Sequence, residues 1–199
     1  MIHCDLAVVG AGPGGCAAAV TAARRGLSVL LLHHPREGRP WPGESLPAGM
    51  DALVTAVFGD GILNDGRNLR TFGNRSAWGG DELLPTDFVT NPLGGGWIVD
   101  RPRFDETLRE RAVAAGVDLL SARARSIRPS ESGWRLELAD STTVDASFVI
   151  DATGRAAALA RRLAGGRCVS DRQIALIASF ADEGDAYQGV TVESVSEGW

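Results

Sequence analysis

The chain is expected to fold as an α/β protein built on a parallel sheet, and three observations predict it. The first 35 residues read as strand, glycine-rich turn, helix, strand. That order requires a crossover, and a right-handed crossover joins parallel strands. The two strand candidates, Asp5–Val9 and Ser28–Leu32, are continuous apolar runs, as strands buried on both faces are. Hydrophobic residues make up 44% of the 199 and charged residues 23%, which suits a globular domain and argues against disorder or a coiled coil.

Each element has a local reason. Cys16 to Arg25 is rich in Ala, the best helix former, and Gly26 stands where a helix-ending glycine belongs. Pro35, Pro40, Pro42 and Pro47, with Gly38 and Gly43, forbid a long helix and favour an extended loop. Met50–Phe58 reads as a short helix. Residues 59–96 are rich in Gly, Asn and Asp and read as an irregular excursion with short strands. Trp97–Asp100 reads as a strand, and Pro102 then suits a first helical turn. Phe104, Leu108, Ala112 and Ala115 fall on one face of that helix, Gly116 ends it, and Val117–Leu120 is the next strand. Trp134, Leu136 and Leu138 alternate with Arg135 and Glu137, and Val144–Phe148 returns beside them after a polar turn. Phe148–Ile150 leads into Asp151-Ala152-Thr153-Gly154, and Ala156–Leu163 reads as a helix. Ile174–Phe180 and Val190–Val195 are two later strands, expected to lack partners.

Composition narrows function. The net charge of −5 argues against a nucleic-acid surface, which needs clustered positive charge. No apolar run approaches the ~20 residues of a membrane span. The start, Met-Ile-His-Cys-Asp, lacks the basic region of a signal peptide. Cys4, Cys16 and Cys168 form neither a disulfide pattern nor a metal cluster, so a reducing cytoplasm is expected and no metal is. All 20 basic residues are Arg, which excludes a Lys nucleophile, a Schiff base or a P-loop lysine from this chain.

Gly10-Ala11-Gly12-Pro13-Gly14-Gly15 holds G-x-G-x-x-G after an apolar strand and before a small-residue helix. Gly10 permits the tight turn, Gly12 lets a pyrophosphate approach, and Gly15 lets helix and sheet pack closely. The helix start adds N–H groups and a positive dipole end, so the whole turn, Pro13 and Gly14 included, points to a dinucleotide. The acidic ribose partner expected some 20 residues on is replaced by Leu32-His33-His34. His33 is able to bond a ribose hydroxyl, or both histidines are solvated loop residues. Arg36 facing a 2′-phosphate keeps NADP as a competing ligand.

Three further segments follow in order: Gly43-Glu44-Ser45-Leu46-Pro47, Asp100-Arg101-Pro102-Arg103-Phe104-Asp105, and Asp151-Ala152-Thr153-Gly154-Arg155. Trp78-Gly79 adds weaker support. With the glycine turn, over about residues 5–165, they resemble the glutathione-reductase-type FAD monooxygenases. The branch is that of flavin-dependent halogenases, geranylgeranyl-reductase-like proteins and the flavoproteins that mature quinone cofactors. The resemblance implies a Rossmann-like FAD-binding domain with a β-meander insertion, followed by the start of a substrate-domain sheet. It implies that Gly10, Gly12 and Gly15 hold the FAD pyrophosphate and that Gly43, Glu44 and Ser45 lie near the flavin. It also implies that Arg101 reaches the FAD and that Asp151 and Gly154 line the cofactor side of the sheet. Plainer readings stand beside these. Arg101 is otherwise a surface ion pair with Asp100 or Asp105, Glu44 a loop charge, and Asp151 a local cap. Trp41, Trp78 and Trp97 suit stacking on a flavin or aromatic substrate, or packing.

The implied function is FAD-dependent oxidoreduction, of the monooxygenase type, with a small-molecule or aromatic substrate and a flavin reductase or NAD(P)H as electron donor. Halogenases of this branch use a Lys and a Trp-x-Trp-x-Ile-Pro motif, and this chain has neither. Residues 1–165 are expected to form the FAD-binding domain, with 36–96 as the excursion. Residues 166–199 are expected to begin an incomplete substrate domain, so the chain reads as the N-terminal part of a flavoprotein. An NADP-dependent reductase and a non-catalytic nucleotide-binding remnant are the alternatives.

Overall fold

The structure, a computed structural model, describes residues 1–34, 44–165, 168–169, 175–176, 178, 189–196 and 198. In chain order its elements are β1 (Ile2–Val9), α1 (Pro13–Ala23), β2 (Val29–His33), β3 (Glu44–Leu46), α2 (Met50–Phe58), β4 (Leu69–Thr71), β5 (Gly73–Ala77) and β6 (Leu84–Asp87). There follow β7 (Gly96–Val99), α3 (Arg101–Ala114), β8 (Asp118–Ser121), β9 (Ala124–Ser130), β10 (Gly133–Leu138), β11 (Thr143–Asp151), α4 (Ala160–Ala164) and β12 (Val190–Glu193). The chain divides into two compact units, Met1–Pro40 with Asp105–Ile174, and Trp41–Phe104 with Ala175–Trp199.

The first unit is α/β around a parallel sheet, as the sequence predicts. Its six strands run in the order β8-β2-β1-β11-β10-β9. The pairs β8–β2, β2–β1 and β1–β11 are parallel, and β11–β10 and β10–β9 are antiparallel. The strands β9, β10 and β11 are the expected meander. β8 and β9 stand at opposite ends of this order, yet only Ala122 and Arg123 separate them in the chain. Three Cα steps reach about 11 Å, whereas five strand spacings measure about 24 Å. The meander therefore folds back over the parallel strands. One buried cluster joins them: Ala7, Val9, Leu30 and Leu32 belong to it with Leu136, Leu138, Val144, Ala146 and Leu159. On β1 and β2 packs α1, burying Cys16, Ala19 and Val20.

Four expectations change. Val144–Phe148 and Phe148–Ile150 belong to one strand, β11, which pairs with β10 through its first half and with β1 along its length. The helix expected over Ala156–Leu163 is broken into a 3-10 turn at Gly154–Ala156 and the short α4. Ala157 is left-handed, with φ 43°, and interrupts it. The strand β9 has no counterpart in the sequence reading, because Arg125 and Arg128 mask its alternation. The strand expected over Val190–Val195 is β12, and it does not lack a partner: it pairs parallel with β5. The strand expected at Ile174–Phe180 lies largely outside the described residues, as do Trp41, Gly43 and Arg36.

The second unit holds two three-stranded sheets, β3-β7-β4 and β12-β5-β6. The helix α2 matches its expected bounds, and the excursion contains the expected short strands β4, β5 and β6. In the first sheet β3 runs antiparallel to β7, with Glu44 opposite Val99 and Ser45 opposite Ile98.

Candidate functional site

In the first unit the parallel strands all end at one edge of the sheet. β1 ends at Val9 beside Asp151 of β11 on one side and Leu32 of β2 on the other. The glycine turn begins there. Gly10 has φ 112°, and its N–H donates to the Leu32 carbonyl at 3.0 Å. A Cβ on Gly10 would strike the Ala152 carbonyl, and one on Gly15 would strike the carbonyl of Gly10. These two glycines hold turn, strand and helix together. Gly12 and Gly14 differ: a Cβ on either meets nothing within 4 Å. The space beside them is open.

Gly12 caps α1 without a side-chain hydrogen bond, Pro13 fills the first turn, and that turn carries no acidic residue. The first helical bond runs from Cys16 N–H to the Gly12 carbonyl at 2.9 Å. The N–H groups of Gly14 and Gly15 therefore have no acceptor within the helix. An open cradle with N–H donors at a helix start and no competing carboxylate suits an anionic phosphate. The residues present fit a dinucleotide.

His33 ends β2, one strand over from the turn, and is half-buried. Burial, then the positive charges of Arg109 and His34, hold its imidazole below the ordinary value, with Asp105 opposing them. That shift favours the neutral imidazole, which has one nitrogen to donate and one to accept.

Asp151 ends β11. One carboxylate oxygen accepts from the Thr153 N–H at 3.1 Å and the Thr153 hydroxyl at 2.6 Å. The other accepts from the N–H groups of Leu159 and Ala160 at 2.9 and 2.8 Å. Burial pushes this carboxyl up, but the bonds from Thr153, Ala160 and Leu159 outweigh it and hold it below its usual range. The local-cap reading of Asp151 is the geometry observed. What the carboxylate organises is the backbone at Ala152, against Gly10, and the turn at Gly154, whose φ is 63° and whose Cα faces open space. Thr153 is a participant that sequence reasoning missed: its hydroxyl also accepts from Ala158 N–H at 2.7 Å. An Asp-x-Thr pair after a strand was the available signal.

In the second unit the structure brings Glu44 and Arg101 together. Arg101 Nη1 lies 2.5 Å from Glu44 Oε2, with the arginine side chain 14% exposed and the glutamate 43%. The plainer reading of Arg101 paired it with Asp100 or Asp105; Glu44 was not foreseen because it is 57 residues away. Ser45 is exposed and lines a cavity of about 330 Å³ with Leu46, Pro47, Thr71, Phe88 and Leu93. Trp78 is exposed, whereas Trp97 is buried beneath the Arg70 guanidinium, 5.0 Å from its ring centre. Among the described residues no group of three or more His, Cys, Asp or Glu is placed to hold a metal ion. Among the described residues no helix is long and apolar enough to cross a membrane.

The family model described as lycopene cyclase protein matches residues 5–169. Digeranylgeranylglycerophospholipid reductase 1 of Methanococcoides burtonii is 32% identical over 127 residues, which are 58% of this chain and 28% of that protein. The structure of a myxobacterial chondrochloren halogenase, described as a new variant of FAD-dependent halogenases, superposes with TM-score 0.66 at 28% identity. The match covers 78% of this chain and 38% of that one. A peptidyl tryptophan dihydroxylase essential for tryptophylquinone cofactor biogenesis superposes with TM-score 0.62 at 26% identity, covering 77% of this chain and 33% of that one. The chain spans about a third of the length of the first curated relatives it matches.

Proposed function

The chain belongs to the lycopene cyclase protein family, and on that premise we propose that its residues bind FAD within an FAD-dependent oxidoreductase of the monooxygenase type. The observation that carries this reading is the open wedge at Gly12 and Gly14, faced by N–H groups of a helix start that have no acceptor within the helix. When bound, FAD supplies the redox chemistry. The chain's residues bind and orient it. Gly10, Gly12, Pro13, Gly14 and Gly15 take the pyrophosphate, whose charge the helix start favours. Neutral His33 bonds a ribose hydroxyl in place of the usual acid. Asp151 acts through the backbone it fixes at Ala152 and Gly154. Glu44, Ser45 and Arg101 serve the flavin end.

The substrate is a small organic or aromatic molecule, and hydroxylation is its fate. The cavity beside Ser45, with Phe88 and Leu93 in its wall, supports an apolar substrate. Relatives include a halogenase and a reductase as well as a dihydroxylase. Hydroxylation is preferred to halogenation because no Lys is present in these 199 residues to handle an oxidised halogen. A flavin reductase or NAD(P)H is the electron donor, and the cytoplasm the compartment. Residues 1–165 are the FAD-binding domain in this reading, with 166–199 entering the substrate domain.

Titration with FAD, followed by flavin fluorescence, tests the assignment. Saturable binding is expected, and Gly12→Val, which fills the open wedge, is expected to reduce loading at least tenfold. Absence of binding rejects the reading, and undiminished loading of the variant rejects the turn as its seat.

A further inference from the structure

We propose that Glu44 is a positioning residue for Arg101: it fixes the guanidinium in the orientation from which Arg101 meets the flavin end of the cofactor, and does not meet the cofactor itself. The inference rests on the FAD reading above and goes beyond it, since that reading sets Glu44 beside the flavin on its own account.

The pair is built by the strand register. Glu44 opens β3 and lies opposite Val99 of β7, and Arg101 follows Val99 by two residues at the start of α3. The three-residue β3 thus delivers its first side chain to the junction of β7 and α3. The Nη1–Oε2 separation is 2.5 Å. Another ion pair of this unit, Arg70 with Asp51, is looser at 3.5 Å, with both side chains about two-fifths exposed. Arg101 is much less exposed than either, and a guanidinium so enclosed needs its charge answered. A planar fork held by a carboxylate keeps one orientation, where an unheld arginine samples many. A bare carboxylate beside an anionic dinucleotide would repel it. Paired with Arg101, Glu44 loses that penalty and acts through its partner.

The test is a double-mutant cycle on FAD affinity in the intact protein, with ADP as the probe that lacks the flavin. Glu44→Gln is expected to weaken FAD roughly fivefold or more, and Arg101→Ala roughly tenfold or more. The double variant should match Arg101→Ala to within about twofold, because Glu44 has nothing left to position. Glu44→Asp, which keeps the charge, should recover part of the loss. ADP affinity should stay within about twofold throughout, which general damage to the fold would not allow. Wild-type affinity in Glu44→Gln, losses that multiply in the double variant, or equal losses for ADP each overturn the proposal. If the wild-type protein binds no FAD, the proposed function itself fails and takes this inference with it. Normal FAD binding with an additive cycle sinks the inference alone.

Discussion

Gly12 and Gly15 stand three residues apart and respond in opposite ways to the same added methyl group. A Cβ at Gly15 would overlap the Gly10 carbonyl and press on Ala152, so strand, turn and helix must separate to admit it. At Gly12 it meets nothing within 4 Å, and the backbone there has φ −82°. Gly15→Ala should therefore destabilise the protein by about 1–3 kcal/mol, the usual range for overpacking a close contact. Gly12→Ala should cost no more than about 1 kcal/mol, the difference between Gly and Ala at a helix cap. Urea melts of the two variants check this contrast, and equal losses would show that the turn is not divided into a packed half and an open half. Cys16 fits the packed half. Burial pushes its thiol up to about 12, and it donates to the Ala11 carbonyl, so it is a packing residue and no nucleophile.

At the scale of the element, the segment after β11 is governed by one carboxylate. Asp151 caps both the turn at Thr153 and the start of α4, which is why the expected continuous helix breaks. Asp151→Asn should cost about 1–3 kcal/mol, since its amide NH2 would face N–H donors left without an acceptor. The pH dependence has a definite sign. The folded-state value of Asp151 is lowered, so between that value and the unfolded one the unfolded chain binds more protons. The stabilisation is complete above the unfolded value and is lost as pH falls through the folded one. Thermal melts should show wild type above Asp151→Asn at neutral pH, with the gap narrowing as pH falls below the ordinary aspartate value and through the lowered folded-state one. A gap of constant size into the acid range would mean that the charge of Asp151 is irrelevant to the cap.

For the molecule as a whole, the weak place is the second half of β11. Its ladder with β10 reaches only Ala146, and among the described residues no strand pairs with the far side of Phe148–Asp151. Phe148 is 70% exposed and Ile150 38%. An unpaired edge with exposed apolar side chains invites pairing with another chain. The sequence reading left both last strands without partners; β12 is paired with β5, Ile174–Phe180 lies largely outside the described residues, and the unpaired edge among the described strands is that of β11. The 199-residue chain should self-associate at high concentration, and Phe148→Ser with Ile150→Thr should raise its monomer fraction. Size-exclusion chromatography over a concentration series reads this directly. An unchanged profile in the double variant would clear β11.

By itself the sequence determined whatever depends on neighbours along the chain. The apolar runs ending at Val9 and Leu32, the glycine turn between strand and helix, the helix at Met50–Phe58 and the alternation at Trp134–Leu138 are all local signals, and each became the expected element. The open glycine turn proposed as the pyrophosphate cradle is legible for the same reason, since strand, turn and helix start lie within some fifteen residues. Tertiary structure decided what joins distant segments. The ion pair of Glu44 with Arg101 exists because β3 pairs with β7 in one register out of several. The meander folds over the parallel strands because β11 serves both, which no local pattern around Val144 specifies. The arginines of β9 hide a strand that is recognisable only by its ladder to β10. Asp151 could be read as ligand or cap until Leu159 and Ala160, eight and nine residues on, were seen to fill its second oxygen. Local propensity sets elements, but register, burial and the partners of charged groups follow from packing between segments that the chain alone does not order.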